Sequence, residues 1–347
     1  MKADNTSMPA TRSKPKESAR PTISVVVPIK NGERYVADCL RSIDTQTWGV
    51  TEIVVVDDGC DDDSVAVIKA LAKTMITPLV VVTGEGIGQS AARNLGVKAA
   101  TGDLIALIDQ DDIWAPQHIE LLARELEIHP GSQLAYSDFT LIDENSLMVS
   151  THFNNRLGNT HPKTSALEII REDVFALPSC MLFRRQAFLD LGGFNPDLQG
   201  FEDDDFYLRA FQAAWAPVYV GESLTLYRTH SSGNSRSASY WRSRVRYAHL
   251  IAKAFPDDPW TRRYWVRDIV LPRYRHSILL DYSAALSLRD SAAARALAAS
   301  FSDLMSVATS PTLKLRLAMW VLRRPALARV LLRPYFRRLT RRERRRD

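Results

Sequence analysis

The chain has 347 residues, 46% of them apolar and 24% charged, which fits a globular protein and excludes a disordered or fibrous one. Three scattered cysteines, Cys39, Cys60 and Cys180, form no zinc-ligand spacing and no disulfide framework, as expected in a reducing compartment. The net charge of +5 is uneven: residues 311–347 hold 13 Lys/Arg against 2 acids, so the body is acidic and only the tail is basic.

Residues 1–20 are polar, lack the apolar stretch of a signal peptide and read as a disordered lead-in. The apolar, β-branched run 23–29 (ISVVVPI) predicts a buried strand. Apolar residues at Val36, Leu40 and Ile43 predict a helix within 33–46. A second strand follows at 52–57 (EIVVVD), a helix at 64–73, a third strand at 79–82, a helix at 89–100 and a fourth strand at 104–108. Strands apolar on both faces that alternate with helices predict a mostly parallel α/β sheet, whose ligands sit at the strands' carboxyl ends. Residues 113–127 read as a helix, 133–137 as a strand and 181–191 as strand into helix. Residues 206–213 read as a helix behind four acids. Residues 150–180 show no clear element. Residues 240–310 read as helical with a break at Pro272, and 311–339 as helical with interruptions at Pro325 and Pro334. No stretch reaches the roughly 18 uninterrupted apolar residues of a membrane span.

Acidic clusters end two of the strands. Asp109, Asp111 and Asp112 follow the fourth, and carboxylates this close stay ionised most readily beside a cation. Hard oxygen ligands suit Mg²⁺ or Mn²⁺. A solvated loop capping the next helix is the other reading of the same residues. Asp58, at the end of the second strand, either faces the crevice as a hydrogen-bond acceptor or begins an Asx turn. The glycines of 84–88 (GEGIG) follow the third strand and not the first, which excludes a dinucleotide fingerprint. Gly88 instead lets the backbone approach a nucleotide. Arg93, in the helix that follows, faces either a diphosphate or a structural carboxylate.

Four segments together resemble the family 2 glycosyltransferases with the GT-A fold: 24–32 (SVVVPIKNG), 55–59 (VVDDG), 90–96 (SAARNLG) and 102–114 (GDLIALIDQDDIW). They occur in the family's order and spacing, within a likeness that spans 21–232. The resemblance implies a Rossmann-like, mixed and mostly parallel GT-A sheet flanked by helices over 21–232. A helical extension at 233–310 and a basic amphipathic tail at 311–347 would follow it. It implies transfer of a sugar, with inversion, from a UDP- or GDP-type nucleotide-sugar to a saccharide or lipid-linked acceptor in cell-surface polysaccharide or glycan synthesis. Pro28, Asn31, Asp58, Gly88, Arg93, Asp109 and Arg228 then belong to the nucleotide-sugar site. Asp111, with Asp109 or Asp112, and His230 are candidate ligands of the divalent metal. Residues 202–205 (EDDD) resemble the family's Glu-Asp motif, which makes Asp203 the general base, with Glu202 second, and leaves Asp205 to cap the helix. The stretch 178–185 (PSCMLFRR) matches one that lines the acceptor side. Cys180 has no neighbouring His and is not expected to act as a nucleophile.

Aromatic and apolar residues among the arginines of 311–347 suit a helix lying on an anionic membrane surface. A protein partner is the alternative. Nucleic acid is not expected, because nothing else in the chain resembles an RNA or DNA module. The expected location is cytoplasmic, peripheral on the membrane's inner face. Two rival functions are a nucleotidyltransferase that makes nucleotide-sugars and an inactive scaffold of the same family.

Overall fold

The computed structural model describes residues 20–158, 160–230, 238–307 and 313–343. The lead-in assigned to 1–20 lies, except for Arg20, outside the described residues. So does the boundary drawn at 232/233.

The strands are β1 (Ile23–Ile29), β2 (Glu52–Asp57), β3 (Leu79–Thr83), β4 (Leu104–Leu107), β5 (Ile113–Trp114), β6 (Leu134–Ile142), β7 (Met148–Ser150), β8 (Met181–Arg184) and β9 (Val218–Arg228). Eight lie in the order β3-β2-β1-β4-β8-β6-β9-β5, and β7 pairs with β6. β3, β2, β1 and β4 run parallel. β8 enters antiparallel to both β4 and β6, while β9 runs parallel to β6. The expected mixed α/β sheet is therefore present.

The apolar runs work because successive side chains of a strand point to opposite faces. Val26, Val54, Val56, Ile105 and Leu107 face one core layer, whereas Val25, Val27, Ile53, Val55 and Ala106 face the other. The second layer is closed by α1 (Val36–Asp44), α2 (Ser64–Leu71) and, beyond α3 (Gln89–Ala99), by α4 (His118–Ile128). α3 closes the first layer with α5 (Phe153–Leu157), α6 (Ala166–Arg171), α7 (Arg185–Asp190) and α8 (Glu202–Gln212) in its neighbourhood, Ala92, Ile169, Phe188 and Phe206 being buried there.

The extension comprises α9 (Ala238–Ala254), α10 (Leu271–Ser287) and α11 (Ser291–Ser306), then α12 (Leu313–Leu322), α13 (Pro325–Leu331) and α14 (Arg333–Glu343). Its Tyr247, Tyr274, Ile278, Leu297 and Phe301 join the same core layer as Phe206. Pro272 and Pro325 lie in the first turns of α10 and α13, where the missing N–H costs little. Just before Pro272 the helical path changes from a π turn, Val266–Val270, to α10 without a break. Among the described residues no helix is long and apolar enough to cross a membrane.

Two expected elements change. Residues 113–127 are not one helix: Ile113 and Trp114 form β5 against Leu226 and Thr225 of β9, and the helix starts at His118. The strand read at 133–137 continues to Ile142 because β9 pairs along it.

α3 lies close against the sheet at Gly96. A Cβ there would fall 2.3 Å from Val26 Cγ1 and 3.0 Å from Val56 Cγ2. Alanine gains about 1 kcal/mol in helix propensity, but overpacking a fixed core costs about 1–3 kcal/mol. Gly96→Ala should therefore lower the denaturation midpoint. Gly49→Ala, with no atom within 4 Å of the new Cβ, should leave it nearly unchanged.

Candidate active site

The parallel strands bring three loops to one edge: 30–32 after β1, 58–60 after β2, and 109–112 after β4. Gln110 ties two of them together. Its Oε1 accepts from the Lys30 N–H at 2.8 Å and its amide donates to the Lys30 carbonyl at 2.9 Å. Gly32 sits against it, since a Cβ there would lie 2.2 Å from Gln110 Oε1. Pro28 is buried within β1, opposite Val56. Asn31 adopts a left-handed φ of 51° and accepts from the Asp61 N–H at 3.0 Å.

Asp57 forms an Asx turn, accepting from the Cys60 N–H at 2.9 Å. Asp58 is buried, and the glycine-rich loop folds over it. Ile87 N–H donates to Oδ1 at 2.6 Å and Gly88 N–H to Oδ2 at 2.9 Å. Gly88 holds φ 88°, a conformation that glycine adopts without strain.

The acidic tetrad is divided by its partners. Arg93 is buried on α3 and grips Asp109 through Nη2, at 2.6 and 2.9 Å to the two oxygens. Its Nη1 donates to Glu202 at 2.7 Å. Burial alone would lower the Arg93 pKa, but Asp109 and Glu202 outweigh it and raise it. Arg93 is thus enclosed by carboxylates and does not face an open diphosphate site. Asp112 is also buried, with one oxygen taken by the Ser179 hydroxyl and the other by the Arg228 N–H at 2.9 Å. Burial, then Asp111 and Asp109, push its pKa well up. The buried Arg228 side chain donates to the carbonyls of Asp111 and Asp143 and to the Ser146 hydroxyl, which leaves it a brace of the loop.

Asp111 is the member that reaches the edge. Its Oδ2 lies 2.9 Å from His230 Nε2, and both side chains are about one-fifth exposed. Burial, then Asp109, raise the Asp111 pKa against the lowering effect of His230. Among the described residues no group of three or more His, Cys, Asp or Glu is arranged to hold a metal. One carboxylate and one imidazole nevertheless fit an Mg²⁺ or Mn²⁺ site whose other positions come from phosphate oxygens and water.

The run 202–205 opens α8, with Phe201 in the left-handed region before it. Asp205 is therefore inside the helix and not its cap, and it pairs with Arg209 at 2.8 Å. Glu202 takes Arg93 and the Gly200 N–H, and Asp204 takes the Val174 N–H at 2.8 Å. Asp203 alone of the four meets only the N–H of its own neighbour, Asp204, and has no ion pair among the described residues; it is half-buried. Burial, then Asp204 and Glu202, raise its pKa well above the ordinary aspartate value, against the lowering effects of the Asp204 N–H and Arg93.

Sequence reasoning missed Ser179. Its hydroxyl accepts from the Asp109 N–H and donates to Asp112, while its carbonyl accepts from Trp114 Nε1 and Thr225. It is buried and braces the tetrad from the 178–185 stretch. No local signal marks it, since its partners come from β4, β5 and β9.

Removing the Arg93 guanidinium leaves two carboxylates unpaired in a poorly solvated place. Arg93→Met should cost about 3–5 kcal/mol of stability, measured by denaturant unfolding, against a few tenths for Arg41→Met on the exposed Arg41–Asp38 pair.

Residues 24–192 match the model of the family described as "Glycosyl transferase family 2". The uncharacterized glycosyltransferase YwdF of Bacillus subtilis (strain 168) is 32% identical over 239 residues, covering 67% of this chain and 83% of that protein. The uncharacterized protein MT1568 of Mycobacterium tuberculosis (strain CDC 1551 / Oshkosh) is 32% identical over 222 residues, 60% of this chain and 68% of that one. Crystal structures of S. aureus TarS 1-349 in complex with UDP and with UDP-GlcNAc both superpose with a TM-score of 0.60. They cover 94% and 93% of this chain and 92% of TarS 1-349, at 17% and 18% identity, a likeness of fold. With those motifs on one edge of this sheet, the chain belongs to glycosyl transferase family 2 and is an enzyme that acts on nucleotide-sugar donors.

Proposed function

We propose that the cleft transfers a sugar with inversion, from a UDP- or GDP-type donor to a saccharide or lipid-linked acceptor, and that Asp203 is the general base. The observation that carries this reading is the inequality among four adjacent acids. Glu202, Asp204 and Asp205 are each committed to a partner elsewhere in the fold, and Asp203 meets only the N–H of its own neighbour. A carboxylate in a desolvated place with neighbouring negative charge is a stronger base than an ordinary aspartate. Asp203 takes the acceptor hydroxyl's proton as that oxygen forms its bond to the anomeric carbon. The bond from that carbon to the diphosphate breaks, and the nucleoside diphosphate departs. Asp111 and His230 would hold Mg²⁺ or Mn²⁺, which when bound supplies charge neutralisation for the departing diphosphate. The donor class is supported by the similarly folded TarS 1-349, whose structures are complexes with UDP and with UDP-GlcNAc. A role in cell-surface glycan synthesis, on the cytoplasmic face of a membrane reached through the basic tail, completes the proposal. Against an inactive scaffold stands the retention, beside Glu202 and Arg93, of a carboxylate that no ion pair among the described residues engages.

Asp203→Asn should lower kcat by about 10²–10⁴-fold while leaving donor affinity, read by thermal shift, close to that of the parent. The base works only when deprotonated, and its pKa is raised. Activity should therefore fall with decreasing pH at a pH well above about 3.9, the ordinary Asp value. An acid limb at the ordinary value, or a fully active Asn variant, would remove Asp203 from this role.

Donor binding to the folded state raises its stability, by about 2.7 kcal/mol at a hundredfold excess over Kd. A nucleotide-sugar that stabilises the chain should do so more with Mn²⁺ present. Asp111→Asn and His230→Ala should each erase the Mn²⁺ increment. An increment retained by both variants would place the metal elsewhere.

A further inference from the structure

The basic tail has two faces in the structure. Val321, Leu322, Ala328 and Phe336 turn inward and are buried. Tyr282 of α10 donates its hydroxyl to the Leu322 carbonyl at 2.7 Å, and its ring lies 5.8 Å from that of Phe336. α12–α14 are thus seated on α10 and α11 as part of the apolar core. They form a fixed surface of the folded enzyme.

The other face is apolar and exposed. Leu313, Leu317 and Trp320 follow one another at helical spacing along α12, with Trp320 48% and Leu317 61% exposed. Val330 and Leu331 extend the exposed apolar surface on α13, and Tyr335 does so on α14. Residues 313–343 carry ten Lys/Arg and one acid. Arg324 lies 4.0 Å over the Trp320 ring, and Arg316, Met319, Trp320, Arg323 and Arg324 line one shallow hollow. Exposed Leu and Trp beside Arg side chains that form no ion pair among the described residues is an arrangement that water disfavours on the apolar side. It lets guanidinium groups meet phosphates while the rings and aliphatic chains enter the headgroup boundary.

We propose that the outward face of α12–α14 docks on an anionic phospholipid bilayer, with Leu313, Leu317 and Trp320 entering the interface and Arg316, Arg323 and Arg324 meeting lipid phosphates. The proposal rests on the membrane-facing reading of the tail and adds which face makes the contact. A protein partner would have to present a complementary acidic and apolar surface of its own. A bilayer offers both chemistries together.

The test uses the full chain and two variants, Leu317→Glu/Trp320→Glu and Arg316→Gln/Arg323→Gln/Arg324→Gln. Each is mixed with vesicles of phosphatidylglycerol and phosphatidylcholine, or of phosphatidylcholine alone, and sedimented. The intact chain should bind the anionic vesicles, bind neutral ones at least tenfold more weakly, and lose binding as salt is raised. Both variants should bind anionic vesicles at least tenfold more weakly, with unchanged circular dichroism and unchanged release of nucleoside diphosphate. If both folded variants bind as the intact chain does, the assignment of this face is overturned while membrane binding by another part of the tail stands. An intact chain that ignores anionic vesicles overturns both. An intact chain that ignores vesicles but sediments as a dimer that the Leu317→Glu/Trp320→Glu change dissociates would show the face to be a contact between copies. Failure of glycosyl transfer would appear separately, as absent nucleoside diphosphate release in all three proteins.

Discussion

The buried guanidinium of Arg93 is the constraint on which the catalytic edge depends. It joins Asp109, at the end of β4, to Glu202, at the start of α8 and 109 residues beyond Arg93 itself. A charged group cannot be withdrawn from water unless opposite charge and hydrogen bonds meet it. The pairing therefore fixes where α8 begins relative to the strand edge. Asp203, one residue beyond Glu202, takes its position from that bond. The distance between the acids at the end of β4 and the proposed base is in this way set by a residue that need touch neither substrate.

The core supplies the other half of that rigidity. Phe201, just before the acidic run, lies 5.0 Å from Tyr240 and 5.8 Å from Tyr247 of α9, ring to ring. Gly200 permits this approach, because a Cβ there would fall 2.3 Å from the Tyr240 ring, and its φ is 94°. Arg273 of α10 donates to the Ile170 carbonyl at 2.7 Å and pairs with Asp173, next to the Val174 N–H that Asp204 holds. The helical extension is consequently part of the support of α8 and not a separate appendage. α12–α14 rest on that same support through Tyr282.

Much of this was legible in the chain. The apolar runs of β1, β2 and β4 end abruptly in Lys30, Asp57 and Asp109, so the strand ends and the acids at them follow from patterning alone. β9 was not legible. Its residues alternate irregularly between buried and exposed, and two of its register shifts occur at Ser137 and Asp138 of β6, so no clean period survives. β5 escaped for the same reason, since two residues become a strand only because β9 lies beside them. The division of labour within 109–112 was beyond local reading. Asp109 is claimed by Arg93, 16 residues away, and Asp112 by Ser179, 67 residues away. Sequence proximity left Asp109 and Asp112 interchangeable beside Asp111, and tertiary partners made them different.

The loop that folds over Asp58 has a consequence for recognition. Both carboxylate oxygens already receive backbone N–H groups from Ile87 and Gly88. In the proposed role, a nucleotide's N–H would meet a carboxylate that the fold already holds largely out of water. Each oxygen keeps a second lone pair, so such a donor would either join the backbone N–H or displace it. Where it displaced one, the new bond would be largely cancelled by the bond lost, and discrimination between bases would then rest more on shape. Asp58 in this state behaves less as an empty socket than as one already fitted with a surrogate from its own backbone.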